Sequence, residues 1–63
     1  MCLSNVYTTA PERKLVAKNI ALVRFEDGKL LLTDILGRTT RIDAAVERID
    51  LMENEILVRG AEA

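Results

Sequence analysis

Histidine is absent from this chain of 63 residues, and cysteine and proline each occur once; Tyr7 and Phe25 are the only aromatic residues. Without histidine the commonest general base is missing, and neither a Ser-His-Asp nor a Cys-His arrangement can be assembled. A structural zinc site needs four Cys or His ligands, and the chain offers one, Cys2. Gly28, Gly37 and Gly60 stand far apart, so no glycine-rich phosphate loop is present. Carboxylates are spread singly along the chain, which argues against a paired acid/base device. Together these absences set catalysis aside: the chain reads as a binding or accessory protein, not an enzyme.

Charge of one sign is also missing. Nine Lys and Arg face ten Asp and Glu, for a net charge of −1, so the basic excess that phosphate backbones demand is lacking. The longest apolar run, Leu30-Leu31-Leu32, is far short of the ~20 residues that span a bilayer, and no charged and apolar leader precedes a cleavage site. A lone thiol cannot form an internal disulfide and suits the reducing cytosol, so the expected setting is cytoplasmic, away from membranes. Size imposes a further demand. A chain this short buries only about 60% of the surface its unfolded form exposes, and scaffolds below roughly 70–80 residues usually rely on a staple, a metal or a partner chain. A homodimer or a bound metal is therefore favoured on stability grounds alone.

What is present is strand-forming. Leu3 to Thr8 alternates as a first strand, closed by a break at Thr9-Ala10-Pro11-Glu12, where Pro11 cannot donate to a ladder. Arg13 to Asn19 reads as an extended lead into Ile20-Ala21-Leu22-Val23-Arg24-Phe25-Glu26, with a helical turn as the competing assignment. Asp27-Gly28 between two apolar runs is a sharp hairpin signal, because a two-residue loop needs backbone positions with φ > 0. Lys29 to Ile35 follows as a strand, Leu36-Gly37 as a turn, and Arg38 to Asp43 as a fourth strand. Ala44-Ala45 breaks the alternation. Val46 to Met52 resumes it, with Ile49 and Leu51 expected inward, and a turn at Glu53-Asn54-Glu55 leads into Ile56 to Arg59 and a frayed tail. About six short strands with no long helix predict one all-β domain over residues 1–63, a small SH3-like or OB-like β-barrel. Several strands carry apolar residues on both faces: Ala21, Val23 and Phe25 oppose Ile20 and Leu22, and Leu31 opposes Leu30 and Leu32. One small barrel has one interior, so the second set implies scattered exposure or an interface between copies.

The chain's one soft ligand is at its start. Removal of the initiator methionine is permitted before a small residue such as Cys2, and would leave a free α-amine beside the thiol. Amine nitrogen and thiolate sulfur then close a compact chelate ring, with the next amide nitrogen in reach. Such an N,S donor set suits a thiophilic divalent ion that tolerates planar geometry. The competing reading makes Cys2 a small half-buried residue at a strand start.

The opening Met1-Cys2-Leu3-Ser4-Asn5-Val6-Tyr7, the Asp27-Gly28 hairpin, the segment Leu32-Thr33-Asp34-Ile35-Leu36-Gly37 and the late Arg48-Ile49-Asp50-Leu51 resemble the CooT family of small nickel-binding proteins over nearly the whole chain. That family is similar in shape to the hydrogenase-maturation chaperones that also begin Met-Cys. The resemblance implies a β-barrel homodimer that binds Ni(II) through the cysteine matching Cys2, and a role in supplying nickel to a client enzyme such as carbon monoxide dehydrogenase. Members have also been described as predicted RNA-binding proteins, so a small RNA-binding β-barrel module is the alternative. With two aromatics and with Asp43, Glu47 and Asp50 interleaved among Arg38, Arg41, Arg48 and Arg59, the residues themselves argue against nucleic acid, which needs a basic groove with stacking platforms.

Overall fold

A computed structural model describes residues 2–60; Met1 and tail residues 61–63 lie outside the described residues, and the expected fraying of the tail concerns them. Six strands follow one another: β1 (Ser4–Thr8), β2 (Lys14–Glu26), β3 (Lys29–Asp34), β4 (Thr39–Ile42), β5 (Ala45–Asp50) and β6 (Glu55–Arg59). No helix occurs among the described residues, so the all-β expectation holds. The segment from Lys14 to Asn19 is strand and not a helical turn, continuous with the strand after it.

The strands form one mixed sheet in the order β4-β3-β2-β1-β6-β5. β1 and β6 run parallel and every other pair is antiparallel. The expected barrel is not closed, because β4 and β5 form the two edges and share no ladder. Those edges are nevertheless joined by just Asp43 and Ala44. Three Cα–Cα steps from Ile42 to Ala45 reach at most about 11 Å, so the sheet has to roll until its ends face each other. Ala44, at the joint, is buried in the core. Closure fails because β4 is only four residues long and the first half of β2 pairs with β1 alone.

The roll comes from β2. Its first half pairs with β1, from Thr8↔Lys14 to Ser4↔Ile20, and its second half pairs with β3, from Ile20↔Asp34 to Glu26↔Lys29. Between the halves Asn19 takes φ 58° and the register slips between Ile20 and Leu22, a bulge that bends a strand and increases its twist. The bulge also changes the phase of alternation. Ile20 is buried and Val23 packs against the same core, whereas strict alternation put them on opposite faces. At the tip, Asp27 and Gly28 have φ of 50° and 74°, the pair of positive values that the two-residue hairpin requires.

Val6, Ile20, Leu30, Leu32, Ala44, Ile56 and Val58 make the core. Leu31, on the opposite face of β3, is also buried. It pairs with Arg24 on one side and Arg41 on the other, so the aliphatic stems of two arginines flank it, as long charged side chains do when their heads stay in water. The apolar outer face expected at this point is thus roofed within the chain. Ile49 and Leu51 correct the reading in the other direction. β5 stops at Asp50, and Leu51 lies in the following turn, 79% exposed. Ile49 pairs with buried Ile56, but it sits on an edge strand with no neighbour on its other side and is 54% exposed.

Candidate metal centre

Cys2 is a free, exposed thiol two residues ahead of β1. Its position follows from the two ladders that β1 makes. Ser4 pairs with Ile20, and beyond that pair β2 continues to Ala21 and Leu22. On the other side Asn5 to Thr8 pair with Glu55 to Val58, and the Asn5 amide donates to the Asn54 carbonyl at 2.9 Å. The parallel ladder begins at Asn5↔Glu55, directly after the β5–β6 turn, so that turn lies at the end of the sheet where β1 starts. The thiol therefore leaves the sheet at an end bordered by the bend of β2 and by that turn.

The turn is rigidly built. Asp50 Oδ1 accepts the amides of Met52 and Glu53, each at 3.0 Å, while Arg48 Nη2 lies 3.3 Å from Asp50 Oδ2. Asp is suited to this role because its short side chain bonds its own backbone two residues on. Asn54 takes φ 57°, a left-handed conformation that Asn tolerates better than most residues. The consequence is that Leu51 and Met52, the latter 92% exposed, are held out in water beside the end of the sheet that carries Cys2. Leu22 in β2 and Ile49 in β5 are half exposed as well. The sequence reading missed the Leu51-Met52 rim because it took the Asp50-Leu51-Met52 stretch as continuing strand. The signal that would have located it is an Asp followed by an Asn four residues later, which is turn chemistry.

Among the described residues no group of three or more Cys, Asp and Glu side chains is close enough to enclose a metal ion. One chain accordingly offers a single thiolate donor, Cys2, with backbone nitrogens beside it. A site of higher denticity has to draw on the terminal amine, on amide nitrogens, or on a second copy.

The carboxylates are otherwise engaged. Asp34 Oδ1 accepts the amides of Leu36 and Arg38 at 2.9 Å, and its Oδ2 accepts Arg38 Nε at 2.9 Å. The Arg38 amide, then the Arg38 side chain and the Leu36 amide, hold the Asp34 carboxyl below its ordinary pKa. Glu47 bonds the Thr9 hydroxyl and the Arg59 guanidinium, and the Thr9 bond leads in holding its pKa down as well. Arg13 stacks over Tyr7 at 4.2 Å and reaches Glu55 at 2.9 Å. Arg24–Glu26 and Lys29–Asp43 complete six ion pairs among the described residues. Six of nine basic side chains thus face a carboxylate, and the Tyr7 ring is covered by Arg13, so among the described residues Phe25 is the one aromatic left exposed, short of the row of stacking platforms beside a basic groove that RNA needs.

Residues 1–59 match the family model described as CO dehydrogenase accessory protein CooT. No curated protein matches the chain. Among solved structures, the crystal structure of a CooT candidate from Carboxydothermus hydrogenoformans superposes with a TM-score of 0.85 at 21% sequence identity, over 97% of this chain and 100% of the other. At that identity the likeness speaks for the fold.

Proposed function

This chain belongs to the CooT family of CO dehydrogenase accessory proteins, which serve an enzyme and are not enzymes themselves, and on that premise we propose that it binds Ni(II) through Cys2 at an interface between two copies, as a carrier for maturation of a nickel enzyme such as CO dehydrogenase. The observation that carries the reading is the exposed thiol of Cys2 just ahead of β1, together with an apolar rim, Leu51 and Met52, that the β5–β6 turn holds out in water. Exposed thiol and apolar rim answer each other. A second copy seated on the rim through a two-fold axis presents the same patch to itself and doubles the sulfur donors that a single chain supplies only once.

Nickel is the cargo, and the chain's residues hold and release it. The Cys2 thiolate supplies the soft donor, and the amine freed by methionine removal, together with the neighbouring amide, supplies nitrogen. Thiolate and nitrogen ligands favour low-spin planar Ni(II). Thiol and amine must lose protons to bind, so loading weakens toward acid pH.

The test is titration of Ni(II) into the reduced, methionine-processed protein, following thiolate-to-metal charge-transfer absorption beside a Cys2→Ala control. A band that saturates at one Ni per two chains and vanishes in the control is the expected outcome. Saturation at one Ni per chain retains the metal and rejects the shared site. A band unaffected by Cys2→Ala, or none at all, overturns the nickel reading.

A further inference from the structure

The sheet leaves one slot where it does not close. Residues 14–19 of β2 pair with β1 on one side only, since β3 joins β2 from Ile20 onward. β4 is the free edge of the sheet. Between these two unpaired edges lies a cleft of about 330 Å³, lined by Ala17, Lys18 and Ile20 of β2, Leu32 of β3, Arg38 just ahead of β4, and Thr40 of β4. Its volume falls within the range of small-molecule sites, and its make-up follows their pattern, an apolar floor with a few convergent polar groups. Leu32 and Ile20 are core residues, 1% and 5% exposed, so the floor is firm.

Arg38 and Lys18 supply two cationic donors. Asp34 also borders the cleft, but both of its oxygens are occupied by the Leu36 and Arg38 amides and by Arg38 Nε. That last contact is made by Arg38 Nε, so the two terminal nitrogens remain as donors. Lys18 forms no ion pair among the described residues. Thr40 adds a hydroxyl, and the unpaired edges add backbone amides. A pre-oriented guanidinium, a free ammonium and a hydroxyl around an apolar floor match a carboxylate-bearing molecule with a short hydrocarbon body. Arg provides two parallel donors for one carboxylate, and Lys a point charge for the second.

We propose that the slot between β2 and β4 is a binding site for a small organic dicarboxylate, with Arg38 and Lys18 as its anion-binding residues and Leu32 and Ile20 as its floor. The proposal is independent of the nickel reading, because its anion-binding residues, Arg38 and Lys18, supply nothing to the Cys2 donor set.

The experiment is a ¹H–¹⁵N titration of the full chain with succinate at constant ionic strength, with sodium chloride and acetate as controls. Saturable shifts confined to amides of residues 17–20 and 32–40 are expected, with acetate binding more weakly. Lys18→Gln, which touches no partner of the Asp34 turn, is expected to weaken succinate by about tenfold, the usual scale for a lost charge-assisted bond, while leaving the rest of the spectrum in place. Arg38→Gln is the second variant, and its own spectrum reports whether the Asp34 turn survives. Shifts that chloride reproduces, shifts dispersed over the whole surface, or equal succinate affinity in Lys18→Gln and the parent would overturn the proposal. So would a single-stranded oligoribonucleotide that moves these amides where succinate does not.

Discussion

Replacing Met52 with Ser tests the interface directly. Met52 is 92% exposed in a turn whose backbone is held by Asp50, and Ser retains the amide that Asp50 accepts. The folded monomer should scarcely notice, since exposed substitutions of this sort usually stay within about 0.5 kcal/mol. The dimer should notice twice. Burying a large apolar side chain is worth roughly 1.5 kcal/mol at the low end, almost all of the Met52 surface is available to be buried, and a two-fold axis counts the loss in both copies. The sum is about 3 kcal/mol, or roughly a hundredfold in the dimer dissociation constant. Sedimentation equilibrium over a dilution series, with thermal unfolding as the check on the monomer, measures both quantities. A dimer constant unchanged in Met52→Ser refutes the placement of the interface at the Cys2 end, and a parent chain that stays monomeric at millimolar concentration refutes the dimer itself.

Three further outcomes are expected. Leu32→Ala, in the core at 1% exposure, should cost about 3–5 kcal/mol in urea unfolding, comparable with the whole stability of a domain this size; Leu31→Ala should cost at or below about 2 kcal/mol, because flanking Arg24 and Arg41 can settle into the gap. Gly28→Ala should destabilise by about 1 kcal/mol through its φ of 74° alone, since an added Cβ there meets no atom within 4 Å; a neutral result would show that the hairpin tip relaxes freely. Asp34 and Glu47 both have pKa values held below their ordinary 3.8 and 4.5, so the stability they contribute is complete above those values and lost as pH falls through the lower folded-state values. Melting temperature followed from pH 7 to pH 2 should show this loss below about pH 4.5, and Asp34→Asn should flatten part of it; an unchanged acid limb would deny the Asp34 contacts a role in solution.

Much of the chain was legible from local chemistry. Asp27-Gly28 specified its hairpin because few other residue pairs accept two consecutive positive φ values cheaply. Scarce helix-periodic patterning and repeated short alternations yielded six strands, and the break at Ala44-Ala45 marked the joint between the two sheet edges. Cys2, as the one soft donor in a chain without histidine, was conspicuous from composition. What the chain order could not express was the pairing of distant segments. The bulge after Ile20 depends on β2 serving two different neighbours, and it reverses which residues face inward from that point. The burial of Leu31 depends on Arg24 and Arg41 arriving from two other strands. The exposure of Ile49 depends on β5 having nothing beyond it, and a period-two pattern reports a face but not whether anything covers that face.

Sequence alone determined which donors and charges the chain has to offer for chemistry, since residue types decide it: one thiol, no histidine, no basic excess. Tertiary structure decided the surroundings of that chemistry. Only the register of β1 between β2 and β6 brings the Leu51-Met52 turn to the side of Cys2, and only the roll of the sheet opens a slot between β2 and β4, because both arise from contacts between residues far apart in the chain.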